Sequence, residues 1–493
     1  MAESALPILI LLCFVAGAIV VVLATLRRPD AAWIVTMATL TAAFGLSVRL
    51  LQAVIDGGAV RHRLGGWVAP IGIELVADGL TALVVCVVTG IALLVGLYAR
   101  EAVRREIAER ESAFYAVLLV LLLGLSGMVL TGDLFNLYVF FEISSLAGYA
   151  LIAVGDKRAV VASFRYLLLG TVGASFYLLG VGFIYALTGT LNMADAAARL
   201  PALADNPALR VSVALIVTGI ALKMAVFPMQ AWLADAYTHA CTTTTAIVAP
   251  IMTKVAAYAL IRIAGFVYGF ELVSERLPVG AALAWLSAIG IVVSSVLALA
   301  QTDVKRMLAY SSIAQVSYIG LGIGLGQPWA LAGAVLHVLN HAVMKCCLFL
   351  VTGTVQLAGG GRTLDDYRGL GRRMPWTFAA FTLAALAMVG IPPTGGFFSK
   401  WYLMVGGLEA GAGGLVVVLV GSGLLTAGYL FRVLERVWAR PAPDLVLRPL
   451  GAGATVPIVL LGVAVVVFGL LNSWIVTRVI APALPTAMGG LET

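Results

Sequence analysis

The chain has 493 residues, 62% of them hydrophobic and only 11% charged, less than half the charged share of an ordinary soluble protein. Apolar runs of about twenty residues recur along it, long enough to cross ~30 Å of hydrocarbon as helices, whereas the alternating segments of a β-barrel are missing. The net charge of +7 and pI near 9.2 mark no nucleic-acid surface, because no basic cluster is interleaved with aromatics, and they fit positive loops at a membrane face.

The predicted fold is an all-α integral membrane protein of about 14 transmembrane helices. In chain order the spans fall at 5–26, 31–55, 72–99, 113–131, 133–154, 160–188, 209–239, 244–265, 282–301, 307–325, 331–357, 374–408, 413–434 and 452–476. The first has no basic start and is too long for a signal sequence, so it reads as a retained span. Cys13, Cys86, Cys241, Cys346 and Cys347 lie in or beside spans without CxxC spacing and read as small buried apolar residues.

Two spans are interrupted. Pro228 in AVFPMQAWL breaks the seventh, and Pro392 and Pro393 in GIPPTGGFFSKWYL break the twelfth, since proline withdraws a backbone donor and clashes with the preceding turn. The chain then divides into a three-helix segment (1–112), a five-helix unit (113–265), a second such unit (282–437) and a C-terminal helix (452–476). Each unit carries its break in its fourth helix, and an odd number of spans turns the second copy over. The pattern predicts two inverted five-helix repeats with ion sites at the breaks.

If Arg27 and Arg28 are cytoplasmic, the loops on that side hold eighteen lysines and arginines against six outside, the bias expected of inner loops. Both termini are then predicted on the outer side. Arg49, Arg165 and Arg262 lie within about two turns of a span end, where a long side chain can snorkel or pack. Lys223, Lys254, Lys345 and Lys400 fall nearer mid-span. Glu142 lies nine residues beyond Asp133, ~13 Å along a helix, and His337, His341 and Lys345 share one helical face.

A charge at the bilayer centre costs ~2.5–3.5 kcal/mol, so these lysines and the glutamate scattered into lipid would cost about 12–18 kcal/mol. They must face one another or water. One Glu142–Lys223 pair still leaves three lysines with no acid at their depth, which ion pairs fixing the helix packing do not explain and a proton relay does. Lysine and histidine can exchange a proton near neutral pH once shielded from bulk water. The HxxxH spacing of His337 and His341 lacks a third ligand and faces Lys345, so no metal is expected. No nucleotide fingerprint or Ser–His–acid arrangement is present either.

GDLFNLYVFFE, KMAVFPMQAWLADA, the eleventh-span HxxxK and GIPPTGGFFSKW resemble the antiporter-like subunits of Mrp-type sodium/proton antiporters, respiratory complex I and membrane-bound hydrogenases, over roughly residues 70–440. The resemblance implies a Glu142–Lys223 pair, an eighth-helix lysine at Lys254, an eleventh-helix histidine and lysine at His341 and Lys345, and a terminal lysine at Lys400. Lys400 and GDLFNLYVFFE look most like the Mrp antiporter member of the D type, while FEISSLAGYALIA and YALTGTLNMADAA also resemble hydrogenase-type counterparts. Gln230 stands where many members carry histidine, and the run Cys241 to Thr245 replaces a link that usually contains proline and serine.

The expectation is a proton-translocating subunit of a multisubunit cation/proton antiporter, moving protons along Glu142, Lys223, Lys254, His337, His341, Lys345 and Lys400. Protons would enter near Lys254 and the broken seventh helix, cross by the histidines and Lys345, and leave near Lys400. The alternative is a proton-pumping membrane-arm subunit of a complex I-like or hydrogenase-type redox complex, and a third reading is a stand-alone solute or cation transporter. Expected partners are other membrane subunits, protons, Na+ or another monovalent cation, and the lipid of a cell (inner) membrane. No cofactor, metal or nucleic acid is expected.

Overall fold

Within hydrocarbon every backbone N–H and C=O must find a partner in its own segment, and the chain answers with helices throughout. A computed structural model describes residues 3–25, 31–441, 447, 448 and 450–485. Arg27 and Arg28, on which the assignment of sides rests, lie outside them. The helices are α1 (Leu6–Thr25), α2 (Ala31–Gly57), α3 (Gly79–Ile107), α4 (Glu111–Leu130), α5 (Leu134–Ala153), α6 (Ala159–Thr188), α7 (Met193–Arg199), α8 (Pro207–Met224), α9 (Ala231–His239) and α10 (Thr242–Ile261). They continue with α11 (Val279–Leu299), α12 (Val304–Leu325), α13 (Pro328–Leu357), α14 (Leu370–Arg373), α15 (Pro375–Val389), α16 (Gly395–Glu409), α17 (Gly413–Ala439), α18 (Ala452–Leu470) and α19 (Asn472–Ile475). Among the described residues twelve stretches are long and apolar enough to cross a membrane, one of which, Gly79–Leu130, contains both α3 and α4.

The two predicted breaks are present. α8 ends at Ala225, a left-handed residue with φ of 62°, and the chain resumes in α9 beyond Pro228. α15 ends at Gly390, whose φ of 95° suits a residue without a Cβ, and α16 begins beyond Pro393. The third span departs from expectation. Residues of the run IGIELVA pair as strand β2 (Glu74–Ala77) antiparallel to β1 (Val60–Arg63), so the helix starts only at Gly79. Alternation in a short apolar run and the helix-capping Asp78, whose side chain accepts from the Thr81 N–H at 3.0 Å, decide that boundary.

Asp133 caps α5 and Asp303 caps α12 in the same way, accepting from the Asn136 and Arg306 N–H groups at 2.7 and 2.9 Å. Each also bridges in antiparallel fashion to the segment that follows the next helix, Asp133 to Asn192 and Asp303 to Thr363. The first bridge sits at the hairpin end of the bundle, where Asn192 donates to Glu74. The second sits at the other end, where Arg362 reaches both Asp303 and Asp156.

α13 is the axis of the molecule. The most apolar windows of α13 and α10 are 100% and 94% buried, against 33% for α1 and α17. α10, α12, α15, α16 and α18 pack on α13, while Leu12, Ile19, Val417 and Leu424 stand exposed on the outer helices, as lipid-facing side chains do. Charged groups at the ends are paired with carboxylates. Asp235 receives Arg165 at 3.0 Å and Arg306 at 3.3 Å, and Asp156 meets His239 at 2.9 Å. At the hairpin end Arg262 makes two bonds to Asp78, at 2.7 and 2.8 Å. Burial alone would raise the Asp78 carboxyl, but the guanidinium and the Thr81 bonds hold it below the usual carboxylate range. Of the three span-end arginines, Arg165 and Arg262 are therefore packed against acids.

Candidate functional site

The apolar α13 carries its polar residues four apart, so His337, His341 and Lys345 line one side of the buried axis, and all three are fully buried. Lys345 Nζ donates to the Leu308 carbonyl at 2.8 Å and to Ser311 Oγ, both on α12. The two imidazoles stack with centroids 5.6 Å apart. His337 Nε2 lies 3.1 Å from Gln315 Oε1 and Nδ1 lies 2.8 Å from Ser399 Oγ, an arrangement in which Nε2 donates and Nδ1 accepts. Among the described residues neither ring nitrogen of His341 has a protein partner, which leaves both free for hydrogen bonding along the row.

Lys254 approaches from α10. Pro250 lies one turn earlier in the same helix, and the ammonium donates to the Ala249 carbonyl at 2.7 Å and Thr253 Oγ1 at 3.3 Å. Lys400 enters from α16 and is held by the carbonyls that end α15, Met388 at 2.7 Å and Val389 at 3.2 Å, with the Tyr318 ring 4.8 Å away. The negative end of a helix dipole is a natural seat for a cation. Asn340 Nδ2 ties the start of α16 to α13 through the Gly395 carbonyl at 2.7 Å. His341 feels Lys254, Lys345, His337 and Lys400 electrostatically, and His337 feels Lys400 and Lys254. Five of the seven predicted residues thus lie within electrostatic reach of one another.

Lys223 and Glu142 stand apart from that group. Lys223 Nζ donates to Ser145 Oγ at 2.6 Å and Tyr149 Oη at 2.9 Å, and lies about 5 Å from the centroids of the Phe141, Tyr149 and Tyr166 rings. A cavity of about 20 Å³ touches it, room for about one water. Gly170 makes the cage possible, since a Cβ there would collide with Tyr149 Oη and Lys223 Nζ. The expected Glu142–Lys223 pair is not a direct one: among the described residues no carboxylate lies within 4.0 Å of any of the four lysines. Glu142 shares its helical stripe with the exposed Phe135, Val139 and Leu146, so it looks outward and meets Lys223 only through its field.

Between the cage and the α13 row runs a ladder of rings. Tyr149 meets Tyr166 edge-on, Tyr166 stacks on Trp232 at 3.8 Å, and Trp232 and Tyr237 lead to Phe349 beneath Lys345. Trp232 Nε1 also holds the Leu222 carbonyl at 3.1 Å, fixing the end of α8. The threonine run forms the first turn of α10. Thr242 binds the Glu106 carboxylate of α3, Thr244 Oγ1 the Leu151 carbonyl, and Thr245 Oγ1 the Tyr237 carbonyl.

Sequence reasoning missed the neutral groups around the lysines and His337: Ser145 and Tyr149 at Lys223, Ser311 at Lys345, and Gln315 and Ser399 at His337. Their signal was present, because Ser145 and Tyr149, and Ser311, Gln315 and Tyr318, recur at helical spacing within apolar helices. It also placed Lys305 in a loop. Lys305 is only 3% exposed and donates to the Ala240 carbonyl at 2.6 Å, a burial that no local pattern announces.

Residues 131–426 match the family described as NADH:quinone oxidoreductase/Mrp antiporter, TM. The chain is 46% identical to the N subunit of the NADH-quinone oxidoreductase of Desulforudis audaxviator, over 97% of this chain and 98% of the relative. It is 30% identical to the D component of the Na(+)/H(+) antiporter of Bacillus subtilis, over 89% and 88%. Its fold matches a chain in the structure of the Mrp complex from Dietzia sp. DQ12-45-1b with a TM-score of 0.88 at 25% identity, covering 98% of each chain.

Proposed function

The chain belongs to the NADH:quinone oxidoreductase/Mrp antiporter transmembrane family, and we propose that it translocates protons as one subunit of a multisubunit membrane complex. The observation that carries this reading is the company of the lysines. Each ammonium is held by carbonyls and hydroxyls and, among the described residues, none by a carboxylate within 4.0 Å. Removing a proton from a buried ion pair strands a lone carboxylate in low dielectric; removing one from a neutral shell strands nothing.

In this reading protons reach Lys254 from the end of the bundle where α10 begins, pass through His341, Lys345 and His337, and leave past Lys400. Lys223, in its ring cage, answers to the outward Glu142 and so to whatever neighbouring subunit covers α5. Fourteen spans, two inverted five-helix units and a cell-membrane location with both termini outside complete the proposal. The matching Asp133 and Asp303 caps and bridges at opposite ends of the bundle support the inversion. Two driving forces fit. The 30% relative named as an antiporter subunit favours a cation gradient, and the 46% relative named as an NADH-quinone oxidoreductase subunit favours redox chemistry in a partner.

The test is proton movement by the assembled complex in sealed vesicles, energised in turn by a Na+ gradient and by an electron donor. Lys254→Ala and Lys400→Ala should each abolish acidification while the complex still assembles. Undiminished proton movement in both variants would sink the reading, and the effective energy source identifies the drive.

A further inference from the structure

We propose that the groove between α2, α3 and α18 binds an anionic phospholipid of the surrounding bilayer, with its phosphate beside Arg100 and an acyl chain in the apolar cavity below. This goes beyond the proton-transfer reading and does not depend on it. α2 and α18 both pack on α3, so α3 is the floor of the groove and the other two are its walls. The apolar half is a cavity of about 490 Å³ lined by Phe44 of α2, Gly90 and Leu94 of α3 and Leu461 of α18. Leu460 and Trp474 on its rim are about half exposed, so it opens toward hydrocarbon. The basic half is a second cavity, of about 550 Å³, where Arg100, Arg104 and Arg105 meet Trp33 and one acid, Glu101. Leu97 lines the basic half and Leu94 the apolar half. They stand one turn apart on α3, so the two halves are continuous along one helix face.

The charges of the basic half are not equivalent. Glu101 is already engaged, pairing with Arg105 and accepting from the Gly451 N–H at 2.9 Å. Arg105 also donates to the Leu357 carbonyl at 2.9 Å, and Arg104 meets Glu111 at 3.6 Å. Arg100 is exposed, and among the described residues no carboxylate lies within 4.0 Å of it. Its guanidinium lies 4.6 Å over the Trp33 ring, and Trp33 Nε1 fixes that ring by donating to the Gly96 carbonyl at 2.9 Å. A guanidinium so placed needs little further ordering to offer its fork of donors to phosphate oxygens. The depth agrees. Ten residues separate Gly90 from Arg100, ~15 Å of helix, which is half of a ~30 Å hydrocarbon layer. A basic pocket between transmembrane helices suits an anionic head group. A zwitterionic lipid would gain less from the arginines, and a free phosphate would leave the cavity unused.

The test places the assembled complex in nanodiscs with a trace of phosphatidylglycerol or of phosphatidylcholine, each carrying the same diazirine-bearing acyl chain, and maps the photolabelled peptides by mass spectrometry. Phosphatidylglycerol should label the peptides that hold Phe44, Gly90 and Leu461 at least about fivefold more than phosphatidylcholine, the preference one arginine confers at a membrane surface. Arg100→Gln should bring the two lipids close to parity, whereas Arg100→Lys, which keeps the charge, should hold most of the preference. Ala464→Trp narrows the cavity that Ala464 lines and leaves the arginines untouched, and should lower labelling by both lipids. Equal labelling in the wild type would mark an ordinary boundary lipid and overturn the site. So would no labelling by either lipid, the result expected if a helix of a neighbouring subunit covers the groove. A preference that survives Arg100→Gln, or labelling that Ala464→Trp leaves unchanged, would overturn it as well.

Discussion

Lys254 and Arg262 stand eight residues apart on the same stretch of buried helix, and they are held in opposite ways. Arg262 is locked by two bonds to the Asp78 carboxylate and further bonds to Thr81 and Tyr258. Lys254 has a carbonyl and a threonine hydroxyl. A guanidinium is always charged and suits a planar, bidentate partner, whereas an ammonium is a compact charge that can give up its proton. The difference separates a riveted cation from one held only by neutral groups on the same stretch of helix.

The largest expected effect comes from breaking the rivet. Asp78→Ala leaves Arg262 buried and uncompensated and should destabilise the fold by about 3–5 kcal/mol, read as a lower unfolding midpoint of the purified complex. Lys254→Met should do the reverse, keeping or raising that midpoint while lowering proton translocation at least about tenfold, or ~1.4 kcal/mol in barrier. If Lys254→Met unfolds the protein as readily as Asp78→Ala, the two cations are doing the same job and the comparison fails.

Gly170→Ala tests the Lys223 cage without touching either cation of α10. Its Cβ must displace Tyr149 and the ammonium, and transport should fall by about fivefold, the effect of losing ~1 kcal/mol of hydrogen bonding. Phe141→Leu removes one ring face at 4.8 Å and should cost about two- to fivefold, since a partly shared cation–π contact is worth ~0.5–1 kcal/mol.

The smallest effect is on pH dependence. The Asp78 carboxyl is depressed in the fold, so its contribution is present above the unfolded value near ~3.9 and is lost as pH falls through the lower folded one. The Asp78 wild-type and Asp78→Asn unfolding midpoints should therefore differ by a constant amount between about pH 5 and 8 and converge only in acid. Convergence near neutrality would mean that the rivet titrates in the working range.

Much of the proposed relay was legible because the membrane makes charge expensive. Any lysine, histidine or glutamate mid-way along a twenty-residue apolar run is an anomaly, and the prolines marking the breaks have no other helical use. The shells were less legible, because serine, threonine and tyrosine cost little in an apolar helix and are not conspicuous there. The direction of Glu142 was hidden for another reason. One helix position says how deep a carboxylate lies, but only the packing of α5 against its neighbours says that Phe135, Val139, Glu142 and Leu146 share the outward side.

Hydropathy, proline and the spacing of charges thus determined by themselves an all-helical membrane protein, its two broken helices and the buried lysines and histidines of the proposed relay, since each depends on local composition against a uniform solvent. The tertiary structure decided what each buried cation meets. Whether a lysine or arginine meets a carboxylate, a carbonyl or a ring depends on residues tens to hundreds of positions away, Asp78 for Arg262 and Tyr149 for Lys223. Pairing at that range is fixed by helix packing and leaves no trace in the neighbouring sequence.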